Sequence, residues 1–181
     1  MSAKTVPVIG KPGPDEFPIS YAGYIGKVLS VGPLTSLEAQ RADIKRFATL
    51  NHEKGAFRYA DGKWSVKEVI GHLADSERVF SYRALRVARA DATPLPSFDE
   101  NAWMPEAGFD RRTLADIAAE FRAVRDSTLA LFHGLDADAW PRLGTASGHP
   151  ISARALAWII SGHEAHHLRV LAERYLPHLG S

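Results

Sequence analysis

The sequence predicts an all-α protein, an antiparallel four-helix bundle preceded by an irregular N-terminal arm. Four segments carry apolar residues at the spacing of an amphipathic helix, and no segment shows the apolar–polar alternation of a half-buried strand. Connectors of mixed length, rich in proline and glycine, separate the four segments. Helices of this kind bury their apolar faces by packing side by side with antiparallel neighbours.

The chain has 181 residues, a length typical of one domain, and 45% of them are hydrophobic. It contains no cysteine, which excludes disulfides, thiolate metal sites and a cysteine nucleophile. A net charge of +1 without a basic stripe argues against nucleic-acid binding. No apolar run reaches the roughly 20 residues that span a bilayer, and the N-terminus lacks the apolar core of a signal peptide. We therefore expect a cytoplasmic protein that contacts no membrane.

The irregular arm is predicted to comprise residues 1–33, and the bundle is predicted to comprise residues 34–181. Five prolines fix φ and remove backbone donors in the arm, so no long helix can form there. The aromatic residues of the segment EFPISYAGYIGKV indicate that the arm packs on the bundle or on a partner subunit.

The first two helices are predicted over 35–52 and 65–90. Each begins with a capping box, TSLE or SVKE, in which a hydroxyl and a carboxylate satisfy free amides at the helix start. Apolar residues at roughly helical spacing support the first helix: Leu37, Ile44, Phe47 and Leu50.

The second half of the chain predicts a long loop and two more helices. Residues 91–109 hold three prolines and no helical period, and a loop of this length in a compact domain is typically functional. Asp110 is expected to cap the third helix, which ends at Gly134. After a polar connector, the fourth helix is predicted from about Ala153 to Tyr175.

Three of the eight histidines lie in the run GHEAHH on the fourth helix. His163 and His167 stand one turn apart and about 40° apart around the helix axis. They replace aliphatic residues on the core-facing side, where an unsatisfied polar group costs about 1–3 kcal/mol. A shared metal ion would satisfy both imidazoles, and so would hydrogen bonds to backbone or carboxylate groups.

His72 on the second helix is the candidate for a third ligand. Gly71 precedes it as Gly162 precedes His163, and a glycine inside a helix indicates close approach by another element. Asp75, one turn after His72, is placed to accept the other N–H of that imidazole. Three neutral imidazoles with an open position suit Zn²⁺ or Ni²⁺ at a site of catalytic type.

The run from His163 to His167 also matches the H-E-x-x-H pattern of zinc proteases, with Glu164 as the general base. Such proteases need a further ligand downstream. Val170 and Glu173 stand where one type has Gly and His, and few residues follow His167 to supply the distant Glu of the other type. The sequence therefore argues against a protease, and His166 is expected to neighbour the metal ligands.

Several motifs together resemble the DinB-like family, including its YfiT-type members. They are KWSVKEVIGHLADSER at 63–78, YRAL at 82–85, SFDE at 97–100 and the closing GHEAHHL. The resemblance covers most of the predicted bundle. It implies an up-down four-helix bundle, a homodimer and a divalent metal ion held by three histidines, which in this chain are His72, His163 and His167.

The resemblance also implies thiol-dependent chemistry, because relatives transfer a low-molecular-weight thiol such as bacillithiol or mycothiol to an electrophile, and others isomerise maleylpyruvate. A chain without cysteine would take the thiol as a cosubstrate, and a bound metal ion lowers the pKa of a thiol. Asp99 and Trp103 in the long loop are predicted to line the substrate site. We therefore predict transfer of such a thiol to an electrophilic small molecule.

Two alternatives stay open. The same site would serve a metal-dependent hydrolase of a small molecule, with Asp75 or Glu164 as the base. A non-enzymatic, dimeric metal-binding stress module is the other alternative. An open coordination position distinguishes an enzyme from this module, in which protein ligands would saturate the ion.

Overall fold

The computed structural model describes residues 9–43 and 45–179, and this part of the chain is mostly helical. Short 3-10 turns lie at Ile19–Tyr21, Phe109–Arg111 and Ala137–Ala139. The helices and strands are α1 (Ala22–Ile25), α2 (Pro33–Gln40), α3 (Lys45–Ala48), α4 (His52–Ala56), α5 (Val66–Ala88), α6 (Glu100–Ala107), α7 (Leu114–His133), β1 (Leu143–Ala146), β2 (His149–Ser152), α8 (Ala153–Val170) and α9 (Leu176–Leu179). A π-helical turn, Leu171–Tyr175, joins α8 to α9.

The long helices α5, α7 and α8 form the centre of the fold, and α5 packs against both of the others. Two buried hydrophobic clusters hold them together. The first contains Phe80, Phe132 and Leu156, and the second contains Ile70, Phe121 and Leu171. No helix in the described ranges is long and apolar enough to cross a membrane. The antiparallel up-down order of the bundle stays a prediction.

The first predicted helix is wrong in its start and in its continuity. Three short helices, α2, α3 and α4, occupy this region, and α2 begins at Pro33 rather than at Thr35. Proline at the first helical position is pre-organised for a helix, and Gly32 before it adopts a φ of 86°. Thr35 and Glu38 therefore lie inside the helix and form no capping box. Ile44 lies outside the described residues.

The second capping box is confirmed. The Ser65 hydroxyl accepts a hydrogen bond from the Glu68 amide at 3.2 Å, and the Glu68 carboxylate accepts one from the Ser65 amide at 2.6 Å. The helix α5 ends at Ala88, slightly before the predicted end, because Ala90 adopts a φ of 57° that no helix continues through.

The long predicted loop contains the helix α6, which the sequence pattern did not reveal. The Asp99 carboxylate caps it by accepting hydrogen bonds from the amides of Asn101 and Ala102 at 2.9 and 3.1 Å. The third long helix, α7, is capped by Thr113 rather than by Asp110, which lies in a 3-10 turn. Its end before Gly134 agrees with the prediction.

The predicted polar connector after α7 contains a β-hairpin instead of irregular chain. Strands β1 and β2 pair antiparallel, with Leu143 opposite Ser152, and turn through Ser147 and Gly148. Both turn residues have positive φ, as the tight hairpin turn requires. The strands are four residues long and mostly exposed, so they show no clear alternation in the sequence. The helix α8 then begins at Ala153, as predicted, with the Ser152 hydroxyl as its cap.

The described part of the arm packs on the bundle. Ile9 and Ile25 are buried in the first hydrophobic cluster. The Glu16 carboxylate accepts two hydrogen bonds from the Arg154 guanidinium at 2.5 and 2.6 Å, and the Glu16 carbonyl accepts one from the Ser152 amide. The division of the chain into arm 1–33 and bundle 34–181 stays a prediction.

A buried ion cluster joins the central helices. Arg125 of α7 donates to the Glu77 carboxylate of α5 at 2.7 Å and to the Glu164 carboxylate of α8 at 2.5 Å. Its remaining terminal nitrogen donates to the Leu37 carbonyl of α2 at 3.0 Å. All three charged side chains are at most 3% exposed, so each depends on the others for its polar partners.

Replacing Arg125 with methionine removes the cation from between two buried carboxylates. We expect Arg125→Met to lower the free energy of unfolding by about 3–5 kcal/mol, because the remaining charges stay buried without a partner. Arg41→Met is the matched control, since it removes an ion pair with Asp126 that is half exposed on both sides. It should cost less than about 1 kcal/mol in the same chemical denaturation experiment. Equal losses in the two variants would contradict the role of the cluster.

Candidate metal centre

Three imidazoles converge between α5 and α8. Nε2 of His163 lies 3.1 Å from Nε2 of His72 and 3.1 Å from Nε2 of His167. The possible ligand atoms of the three histidines all lie within 4.8 Å of one another. The structure thus brings together the three residues that the sequence predicts as metal ligands.

Two of the three separations between these nitrogens fit a shared metal ion. Two nitrogens bound at about 2.0–2.1 Å to one ion lie roughly 3.4 Å apart in a tetrahedral site and about 3.0 Å apart at right angles in an octahedral one. The observed 3.1 Å falls between these values. Nε2 of His163 carries either one proton or one lone pair. It can therefore form a hydrogen bond with only one of the two neighbouring nitrogens. A divalent ion would satisfy all three lone pairs at once.

The environment keeps the three imidazoles neutral. Burial lowers the pKa of His72 to about 4 and that of His167 to about 3. Burial, reinforced by the neighbouring histidines, holds the pKa of His163 well below its usual range. The neutral imidazole is the form that binds a metal ion, so the triad is ready for binding at neutral pH.

Both glycines that precede the histidines permit close contacts, as predicted. A Cβ atom on Gly162 would lie 1.9 Å from the Tyr24 carbonyl oxygen, which belongs to the arm. A Cβ atom on Gly71 would lie 2.4 Å from the Phe109 ring. The Tyr24 ring packs edge-on against His163, with 5.1 Å between ring centroids. The sequence did not reveal this contact, because the arm and α8 are far apart along the chain.

The contacts of His72 differ from those expected. The Ser76 hydroxyl, one turn along α5, lies 3.3 Å from Nδ1 of His72. If the lone pair of Nε2 serves a metal ion, Nδ1 would carry the proton and would donate it to the Ser76 hydroxyl. Asp75, which was expected to accept this hydrogen bond, accepts one from Arg78 at 3.2 Å. The indole of Trp64 also packs against His72, with 4.7 Å between ring centroids.

Glu164 points into the ion cluster. One of its oxygens accepts from Arg125, and the other is buried without a hydrogen-bond partner among the described residues. Burial raises the pKa of Glu164 to about 7, with a smaller contribution from the Glu77 carboxylate, while Arg125 opposes the rise. In this position Glu164 connects α8 to α7, and its predicted role as a catalytic base stays a prediction.

Two cavities adjoin the triad. The small cavity, of about 10 Å³, has room for roughly one water molecule. The large cavity, of about 340 Å³, falls in the size range of small-molecule sites. The small cavity is lined by side chains that include His72, Asp75, Ser76, Glu100 and Trp103. The large cavity is lined by side chains that include Tyr59, Lys63, Trp64, Asn101, His166, His167 and Tyr175.

The two residues predicted to line the substrate site have separate positions. Trp103 borders the small cavity, is 43% exposed and stacks on Phe98 with 5.0 Å between ring centroids. The Asp99 carboxylate is engaged in capping α6. The predicted contact of each residue with a substrate stays a prediction.

Glu100 is a candidate functional residue that the sequence analysis missed. It lines the small cavity beside His72. Burial and then the charge of Glu100 raise the pKa of Tyr24, which places this carboxylate near the arm as well. Glu100 belongs to the SFDE motif, but the neighbouring Asp99 was preferred in that motif. In the structure, Asp99 caps α6 and Glu100 lines the small cavity.

Comparisons with known proteins agree with this architecture. A metal-dependent activity appears in the names of two curated relatives, each called a "putative metal-dependent hydrolase". The relative from Oceanobacillus iheyensis is 34% identical over 56 residues, which are 30% of this chain and 32% of the relative. The relative from Bacillus licheniformis is 42% identical over 69 residues, which are 37% of each chain. The chain thus spans about a third of the length of the curated relatives it matches.

The structure is similar to that of YfiT from Bacillus subtilis, described as a probable metal-dependent hydrolase with an unusual four-helix bundle topology. The TM-score is 0.68 at 22% sequence identity, over 78% of this chain and 82% of YfiT. At this identity the similarity establishes the fold. The family model of the DinB superfamily matches residues 36–171, which include the three histidines, Asp75 and Glu100. The chain belongs to the DinB superfamily.

Proposed function

We propose that this protein is a metal-dependent hydrolase of a small molecule. The observation that carries the proposal is the convergence of three neutral imidazoles beside a cavity of water size that Asp75 and Glu100 line. His72, His163 and His167 would hold the metal ion, and Zn²⁺ or Ni²⁺ suits such ligands. When bound, the ion would act as a Lewis acid that polarises the bond to be cleaved.

The carboxylates of the small cavity would move the proton. A water molecule that enters this cavity would be next to Asp75, Glu100 and His72, which line it. As the water oxygen bonds to the electrophilic atom of the substrate, one carboxylate accepts its proton. The bond to the leaving group then breaks, and the proton passes to that group. Burial raises the pKa of Asp75, which makes this carboxylate a better base.

The names of the curated relatives support hydrolysis rather than transfer of a thiol. Transfer of a low-molecular-weight thiol therefore stays a prediction from the family resemblance, and the assays below test it as an alternative outcome. The homodimer, the up-down order of the helices and the cytoplasmic location belong to the same proposal, with family membership as their support.

Metal binding is the first part of the proposal that can be tested. Protein purified without a polyhistidine tag should hold about one equivalent of Zn²⁺ or Ni²⁺ by mass spectrometry, because the triad forms a single site. His163→Ala should lose the ion. His166→Ala is the matched control, since His166 is adjacent in sequence but lies outside the triad, and it should retain the ion. Metal-free wild-type protein after incubation with both ions would contradict the proposal.

The stability of metal-free protein should decrease as the pH falls below about 6.5. Folding lowers the pKa of His72 from 6.5 to about 4, so between these values the unfolded chain binds more protons than the folded chain. For each such histidine, the free energy of unfolding falls by about 1.4 kcal/mol per pH unit between the two pKa values. His72→Gln should reduce the slope by about this amount in urea unfolding after chelation. An unchanged slope in His72→Gln would be inconsistent with a neutral buried imidazole.

The carboxylates of the small cavity should affect turnover but not metal content. Glu100→Gln and Asp75→Asn each keep the shape of the side chain, and the variant of the residue that acts as the base should lower hydrolysis of p-nitrophenyl acetate by about 10²–10⁴-fold. Glu106→Gln on the exposed part of α6 is the control. Metal content measured in parallel separates a lost base from a lost ion.

The same preparations should be assayed with bacillithiol, mycothiol or glutathione and a model electrophile. Turnover with a thiol and none with water would replace hydrolysis by thiol transfer. Absence of both, with the ion bound and no exchangeable coordination position, would indicate the non-enzymatic metal-binding module.

A further inference from the structure

The large cavity has aromatic walls. Tyr59 and Tyr175 meet edge to face, with 5.0 Å between their ring centroids, on one part of the wall. Trp64 forms another part and packs against the metal-ligand candidate His72. Aromatic rings bind flat apolar groups by stacking and edge contacts. The shape and chemistry of the wall therefore suit a planar apolar body.

The charge of the large cavity favours an anion. Lys63 is the permanently charged residue among the described residues that line it, and none of these lining residues is a carboxylate. The ammonium group of Lys63 makes no ion pair with the described part of the chain, so it is available to a ligand. One lysine matches the charge of a monoanion such as a carboxylate, whereas a phosphate group usually meets several donors.

The rim that carries Lys63 is held in place by its neighbours. Arg58, which is paired with Glu68 at 2.5 Å, donates a hydrogen bond to the Lys63 carbonyl at 2.7 Å. The Tyr175 hydroxyl donates to the Trp64 carbonyl, also at 2.7 Å. The carbonyl of the cationic residue and the next carbonyl along the chain are thus both anchored. A pre-organised rim of this kind loses little freedom when a ligand binds.

We propose that the large cavity binds small aromatic carboxylates, with the ring between the aromatic walls and the carboxylate at Lys63. His167 lines the same cavity and belongs to the triad, so the bond to be hydrolysed lies at the His167 side. This inference rests on the proposed hydrolase function and names the substrate class of that site.

Binding without turnover tests the inference separately from catalysis. Hippurate and benzoate are titrated into the zinc-loaded protein by calorimetry, and their neutral amides, hippuramide and benzamide, serve as matched probes. The wild type should bind each acid more tightly than its amide. Lys63→Gln should weaken binding of the acids by about three- to fivefold and leave the amides unchanged. Lys45→Gln removes the same charge from the exposed helix α3. It should change neither the affinity for the acids nor the affinity for the amides.

A second variant tests the aromatic wall. Tyr59→Ala should weaken the binding of acids and of amides alike, by about tenfold. Tyr82→Ala removes a half-exposed tyrosine outside the cavity and should have no effect. Binding of neither acid at millimolar concentration, equal affinity for acid and amide in the wild type, or equal effects of the two lysine variants would overturn the inference.

The two levels of the proposal fail in different ways. If the protein hydrolyses neutral esters but shows no Lys63-dependent preference for acids, the proposed substrate class is wrong. The proposed hydrolase function would then still stand. Lys63-dependent binding of acids by a protein that hydrolyses no ester or amide bearing both an aromatic ring and a free carboxylate, such as hippurate itself, would contradict the hydrolase function and leave the binding site.

Discussion

The helix α8 carries polar side chains into the core, and every one of them needs a partner there. His163 meets His72 of α5, while the adjacent Glu164 meets Arg125 of α7. Consecutive residues on a helix point about 100° apart, so these two contacts orient α8 toward two different neighbours. Because a buried polar group without a partner costs about 1–3 kcal/mol, the relative positions of the three long helices follow from these pairings.

The arm contributes to the same centre. Gly162 permits the Tyr24 backbone to approach α8, and the Tyr24 ring then covers His163. Phe80 and Trp64 complete the aromatic surroundings of the imidazoles. Removal of water by these rings is the physical cause of the lowered pKa values of the triad. The same packing that stabilises the fold thereby keeps the three histidines in the metal-binding form.

The two cavities suggest a division between water and substrate. The small cavity next to His72 is large enough for about one water molecule and contains carboxylates, whereas the large cavity next to His167 is aromatic and cationic. The triad lies between them, in contact with both through its ligands. In this arrangement a water molecule and an organic substrate would reach the triad from different sides, and neither would have to displace the other. The helix α6 supplies residues to both cavities.

Local chemistry was sufficient to predict part of this protein. Helical periodicity and the capping box at Ser65 depend on residues a few positions apart. The three histidines were identified from their register on the helices together with the family motifs. The hairpin and the helix α6 were not predicted, because these short elements contain too few buried residues to show a pattern. The start of α2 at Pro33 was missed because the TSLE segment imitates a capping box two residues further on. The partners of Asp75, Glu100 and Glu164 depend on helices that are distant in sequence, and only tertiary packing decides which carboxylate faces a cation, an amide or a cavity.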